Sequence, residues 1–451
     1  MKNLLFTLIL ILTSIISNAH ADASNSDIIT IDIPYIKNAL YLKNTTLLKS
    51  LNDLKRSKLN LNNQRAKLLP LLNLSIMLPN SSNPNFLVNS VNFLFPFLIP
   101  SNWSEVNRAS EGFNADQKSY YITKLNILST ALSMAYSYQS DLLMRKIYFE
   151  QNQTLLTLYK GLKKEYDILG DVTESDLSMS LAAYKDSSLK VLKIDEMISI
   201  EEAELKSMLQ IPLDAKIVLN LPEELNSQYE KLSYQKIASI VQQYSPEAEQ
   251  LNFVLKSSKN GRLSKFFGFI SSAGLYGSSN NSSSGQAFEN LKAGFSLSFG
   301  LESIFAIHLD NNSIDGIKIA QKELDENILK SVFNLMYSLK LSNDALIIAN
   351  DALLARQNAY KSLEKEFNIG TLSLLDLLPN QTLVTESKIQ SLKANLDLKL
   401  LKINLLRMML EGEFSTVSEC KPEVVKKDDS LFGRYRFGRE KLMTLDELCR
   451  P

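Results

Sequence analysis

Apolar and polar positions follow two different periods along this chain. Leu47, Leu51, Leu54, Leu61 and Leu68 fall on one seam, with Lys58 and Arg65 at the places that complete the spacing. Ile389, Leu392, Leu396, Ile403, Leu406 and Leu410 make a second seam in steps of three and four, interrupted only by Lys399. Stripes this narrow predict long helices packed as coiled coils, the alternative being an ordinary long helical bundle. Proline removes a helix hydrogen bond and clashes with the preceding turn, and none occurs from Ser101 to Ile211. One break, Gly170-Asp171-Val172-Thr173, divides that span. The spacing therefore predicts a helix of about 65 residues, on the order of 100 Å long, then a tight reversal and a second helix to about Gln210.

The other period is two. Phe295, Leu297, Phe299 and Leu301 alternate with Ser296, Ser298, Gly300 and Glu302, which predicts a strand with one oily side. Its partner is expected at roughly Phe266 to Tyr276, across the small polar stretch between Gly277 and Gly285. Earlier in the chain Leu72, Leu74, Ile76 and Leu78 alternate with Asn73, Ser75 and Met77, and beyond Pro84 the residues Val91, Phe93, Phe95 and Phe97 share a face. These strands have the length a tilted strand needs to cross a bilayer, about 9 to 12 residues. Seven of the 15 glycines fall between Gly261 and Gly300, where strands approach closely and turn tightly.

The chain also repeats itself. Tyr136-Ser137 matches Tyr337-Ser338, and Tyr159, Lys160, Leu162, Lys164 and Glu165 match Tyr360, Lys361, Leu363, Lys365 and Glu366, all 201 residues apart. One deleted residue then aligns Gly170 with Gly370 and Asp176 with Asp376, which indicates a structural duplication. Each reversal carries stop and start chemistry. Gly170 and Gly370 suit the left-handed position after a helix, Thr173 and Ser373 suit the N-cap of the next, and Asp176 and Asp376 stand at N3 of a capping box. Two helical hairpins follow, with tips at 170 and 370.

Charge and composition narrow the function. Lys+Arg and Asp+Glu balance at 49 each, so no global field favours nucleic acid. Two histidines and two cysteines are too few for a zinc finger, a histidine metal cluster or a disulfide scaffold. No cofactor motif is present, and the absence of a G-x4-G-K-[ST] loop leaves any driving energy to partners. Lys2, the apolar run from Leu4 to Ile16 and Ala19-His20-Ala21 read as an export signal over 1–21, with a mature start at Asp22. Export would place Cys420 and Cys449 in an oxidising compartment, where a disulfide and two free thiols are both open readings. Four strands cannot close a barrel in lipid, so a membrane role requires oligomerisation, and three chains would supply twelve.

The export signal, the duplicated helix-strand-hairpin order and the motif Tyr-Lys-x-Leu-x-Lys-Glu-[Tyr/Phe] ahead of Gly-x5-Asp resemble the TolC family of outer-membrane efflux proteins, over about residues 34 to 412. The run from Phe367 to Leu378 is the most specific part. The resemblance implies a mainly α fold with a small β part: long antiparallel coiled-coil helices form an α-barrel, and four transmembrane strands per chain contribute to a trimeric twelve-stranded β-barrel. It implies no enzyme activity, a homotrimer in outer-membrane lipid with a large periplasmic portion, and docking to a periplasmic adaptor and an inner-membrane transporter for drug efflux or type I secretion. Asp376 maps onto an acidic ring that narrows the periplasmic entrance. The next ring position is Pro379 here, and the Tyr and Arg that help lock that entrance map onto Phe367 and Leu372. Phe295, Leu297, Phe299 and Leu301 would then face lipid.

The expected organisation is a first repeat over 22–210 with a strand pair at about 70–98, a linker over 211–232, a second repeat over 233–412 with a strand pair at about 264–305, and a periplasmic tail over 413–451. The tail contains a basic-aromatic run from Phe432 to Arg439. Trp103 suits either a membrane interface or ordinary packing, and His308, the single histidine after the signal, has no histidine partner for a metal. The rival reading is a non-conducting periplasmic coiled-coil scaffold or adaptor. Cargo, transporter class and the resting state of the entrance are left open by the residues.

Overall fold

The computed structural model describes residues 28–77, 87–168, 170, 172–278, 291–298, 300–369, 371–372 and 374–418. The signal segment, Phe299, Gly370, Ser373, both cysteines and the basic-aromatic run lie outside the described residues. Eight α-helices are described: α1 (Ile33–Lys43), α2 (Thr45–Ala66), α3 (Pro100–Ile168), α4 (Glu174–Leu209), α5 (Tyr234–Tyr244), α6 (Pro246–Phe266), α7 (Leu301–Asn368) and α8 (Leu374–Met409). Six strands accompany them: β1 (Ile28–Ile31), β2 (Leu71–Met77), β3 (Leu87–Leu94), β4 (Lys216–Leu219), β5 (Ile270–Ser278) and β6 (Lys292–Leu297). No described helix is long and apolar enough to cross a membrane.

Local chemistry sets the helix boundaries. Asp32 caps α1 through a 2.7 Å bond accepted from Tyr35 N–H, with Pro34 in the first turn. Ser245 caps α6 in the same way, accepting from Ala248 N–H at 3.0 Å with Pro246 opening the helix. The starts recur along the chain: Ile33 and Tyr234, Thr45 and Pro246, Pro100 and Leu301 are each 201 residues apart. Beyond the hairpin tips the interval drops to 200, where α4 and α8 have 36 residues each. Both end on a left-handed residue that is not glycine, Gln210 at φ 55° and Leu410 at φ 52°. In each case the next N–H, that of Ile211 or Glu411, reaches back 2.9 Å to the carbonyl of Lys206 or Leu406.

Two compact units make up the chain. The first comprises Met1–Asn44, Leu128–Asn226 and Leu339–Ile403. In it β1 pairs in parallel with β4, and α1 packs on α4, where the Asn44 amide donates to Met208 O at 3.1 Å. Its dry interior includes Leu128, Ala131, Tyr136, Leu205 and Ile403, and Tyr136 O–H donates to Pro222 O at 3.0 Å.

The second unit comprises Thr45–Ile127, Ser227–Ser338 and Asn404–Pro451. The predicted seam of α2 is buried at Leu47, Leu51, Leu54 and Leu61. Ile237, Ala238 and Val241 of α5 join Ile328 and Val332 of α7 in an apolar cluster. Arg407 links α8 to α3 and α6 by bonding Asn126 and pairing with Glu247. Phe414 and Val417 are buried, and the Lys124 ammonium, whose pKa burial lowers to about 8, donates to Ser418 O at 2.8 Å. This unit also carries an antiparallel four-stranded sheet in the order β2-β3-β5-β6.

Candidate functional site

The sheet has two chemically distinct faces, and its register makes them explicit. Leu72 lies opposite Phe93, Phe93 opposite Leu275 and Leu275 opposite Ala293, so one apolar row crosses all four strands. One residue along, Asn73, Asn92, Tyr276 and Lys292 form a row on the other face. Farther along the first face Phe295 lies opposite Ala273, and on the second Ser272 lies opposite Ser296 and shares a 2.7 Å hydrogen bond with Tyr276 O–H. Lys292 is the one charged residue in the four strands. The central strands approach closely: a Cβ on Gly274 would stand 2.3 Å from Phe93 O. β2 and β6 are edges, each paired on one side.

The oily residues named from the alternating pattern fall as follows. Phe295 and Leu297 are 69% and 57% exposed, so neither packs into a dry interior of the chain. The strand ends at Leu297, and Leu301 is the first residue of α7, which corrects the expectation that β6 continues to it. The alternation beyond Gly300 coincides with the first turn of a helix whose start matches that of α3. At the corresponding strand-to-helix junction between β3 and α3, Trp103 is 50% exposed and its indole N–H donates to Phe97 O at 2.8 Å. Phe97 before α3, Phe266 at the end of α6 and Phe305 in the second turn of α7 are exposed as well, each close in sequence to a boundary between helix and strand.

At the first hairpin tip Gly170 has φ 69° and donates to Glu165 O at 3.1 Å. Thr173 caps α4, accepting from Asp176 N–H at 3.1 Å. Asp176 is half-buried. The second tip repeats the closing bond, with Thr371 N–H donating to Glu366 O at 3.0 Å. Asp376 is exposed in the first turn of α8, and the Asn380 amide donates to its carbonyl at 2.9 Å. Pro379 lies within α8, which continues past it to Met409. A cavity of about 680 Å³ lies beside α3 near this level, lined by Leu158, Leu162, Glu165 and Phe367 among others. Among the described residues no three His, Cys, Asp or Glu side chains gather as a metal site.

Sequence reasoning found the apolar strand face and the first tip. It passed over the Asn73-Asn92-Tyr276-Lys292 row, whose signal was the polar half of the same alternation, and over the exposed Phe266 and Phe305, whose places beside helix-strand boundaries are set by the fold.

No protein-family model and no curated protein matches the sequence. Solved structures do match. A membrane protein from Pseudomonas aeruginosa superposes with a TM-score of 0.70 at 13% identity, covering 86% of this chain and 95% of that one. The Campylobacter jejuni CmeC outer membrane channel gives 0.68 at 13% identity, covering 85% and 88%. The Neisseria gonorrhoeae MtrE outer membrane channel in its open state gives 0.68 at 15% identity, covering 84% and 89%. Long helices in hairpins, a small antiparallel sheet and near-complete coverage of three such structures give one conclusion: this chain has the fold of the TolC-like outer-membrane channels.

Proposed function

We propose that this chain is one subunit of an outer-membrane channel that passes small molecules or proteins outward from a periplasm-spanning efflux or type I secretion complex. The observation that carries this reading is the two-faced wall with open edges. A sheet that is apolar on one face and carries amide, hydroxyl and amine groups on the other, with Leu71 and Leu94 at one end, suits lipid on one side and water on the other. Edges left unpaired in lipid cost several kcal/mol per backbone group, so the wall must close on further copies. Strand direction permits it. β2 and β6 run oppositely, so β6 of one copy set beside β2 of the next continues the antiparallel order in a head-to-tail ring. Three copies give twelve strands.

In this reading Phe295 and Leu297 contact lipid. Trp103 and its aromatic neighbours sit at the membrane boundary. The repeat boundaries of 22–210 and 233–412 then each supply one helical hairpin to a periplasmic tunnel. Gly170, Thr173, Asp176, Gly370 and Ser373 form the tips, and Asp376 of each copy contributes to an acidic constriction at the entrance. A periplasmic adaptor and an inner-membrane transporter supply the cargo and the energy, and the channel makes and breaks no bonds. Purified trimer in planar bilayers is expected to give discrete conductance steps. Properly trimeric protein without a pore would overturn this reading in favour of a non-conducting scaffold.

A further inference from the structure

Inside the first unit a pair of acids occupies a position that the channel reading does not use. Asp141 of α3 is only 4% exposed, and its carboxyl is hydrogen-bonded to that of Glu201 on α4. Glu201 Oε2 is shut away from solvent. Two carboxyl groups can share a hydrogen bond only when one carries a proton. Lys393 of α8 adds a positive field that favours the charged form of Asp141.

We propose that Glu201, Asp141 and Lys393 form a proton-dependent tie across α3, α4 and α8: one proton on Glu201 joins the first hairpin, and losing it loosens α4 from α3. The tie requires no assumption about the pore.

The surroundings say which acid holds the proton. Burial raises Asp141 above the usual aspartate range, while the bond from Glu201 and the field of Lys393 both act to lower it, so it accepts as the carboxylate. Burial also raises Glu201, the neighbouring Asp141 charge and their shared bond raise it further, and Glu204 adds to this, carrying it to about 7. The nearby bases have other partners. Arg145 of α3 pairs with Asp195 of α4, while Lys206 pairs with Glu202 and donates to Leu213 O at 2.8 Å. Tyr138 of α3 is bonded to Glu202, and Lys399 of α8 lies 5.2 Å from the centre of the Tyr136 ring. Ionising Glu201 therefore places two negative charges in contact, with the field of Lys393 acting on Asp141 as a counter-charge. The sign of the pH effect follows. Between the ordinary glutamate range and about 7 the folded hairpin keeps a proton that the unfolded chain has released, so its stability falls as pH rises through that window and levels off above it.

Hydrogen exchange on the full-length protein, corrected for the intrinsic pH dependence of exchange, tests the tie. Across about pH 5 to 8, amides of α3 around 141 and of α4 around 201 are expected to lose protection in one step. Glu201→Gln keeps a donor to Asp141 and cannot ionise, so the step should disappear with protection held at its low-pH level. Asp141→Asn removes the charged neighbour and should move the step to lower pH. Infrared spectra of glutamate-labelled wild type should show a protonated carboxyl band at about pH 6 that Glu201→Gln lacks, a readout that a packing defect does not mimic. A step of unchanged size in Glu201→Gln overturns the proposal. So does a wild-type spectrum with no such band, which decides the matter even where a variant fails to fold.

Discussion

Gly274 shows how much a single residue is asked to do in the sheet. Its α-carbon sits against the backbone of β3, where an added Cβ would lie 2.3 Å from Phe93 O. Backbone cannot swing aside as a long side chain can. Gly274→Val should therefore part β3 from β5 at a cost of about 1–3 kcal/mol, and the assembled oligomer should dissociate at lower temperature on a semi-native gel. Gly268→Ala, where the same construction meets nothing within 4 Å, serves as the neutral control. The sequence alone marks Gly274 only as a glycine in a strand, because the crowding atom belongs to a segment about 180 residues away. Thr173 was legible for the opposite reason: its partner, Asp176 N–H, is three residues away, and such local pairings are written in the spacing. Glu201 and Asp141 lie between these cases, since hydrophobic periodicity records which positions are apolar and is silent on two acids meeting across helices.

The helix ends Gln210 and Leu410 make the same point for elements. Leu410 completes the predicted 3,4 seam, yet it is the residue that leaves α8 with φ 52°. The left-handed turn costs a residue with a Cβ on the order of 1–2 kcal/mol, and the backbone bonds that close the turn oppose that strain. Gln210→Gly and Leu410→Gly should each relieve part of it and stabilise the fold by about 0.5–1 kcal/mol, read as a higher urea midpoint. Equal effects at the two sites would show that the ends act alike. Period counting found the long helices and the first reversal because those signals are repeated or local. It carried β6 too far, to Leu301, because alternation in four residues does not distinguish a strand from the opening turn of a helix. It missed the pairing of β1 with β4, two strands of four residues each that join the start of the chain to the segment after the first hairpin.

For the whole molecule, the sheet's polar face determines what a closed wall would offer to cargo. Asparagine, serine and tyrosine line it, with Leu71 and Leu94 at one end, and Lys292 is its single charge per chain within the four strands. In the proposed barrel Lys292→Glu should lower anion relative to cation permeability severalfold, read from the reversal potential in asymmetric salt, while conductance steps persist. An unchanged reversal potential would mean that ions are sorted elsewhere, as an acidic constriction at Asp376 would do. The paired spacing of helix starts has a genetic consequence of its own. From Ile33 to Leu410 the paired helix boundaries of the two halves differ in register by a single residue, and the step falls between the two long helices of a hairpin. In-frame insertions scanned through α3 or α7 should be lethal to assembly far more often than those placed at residues 170 or 370.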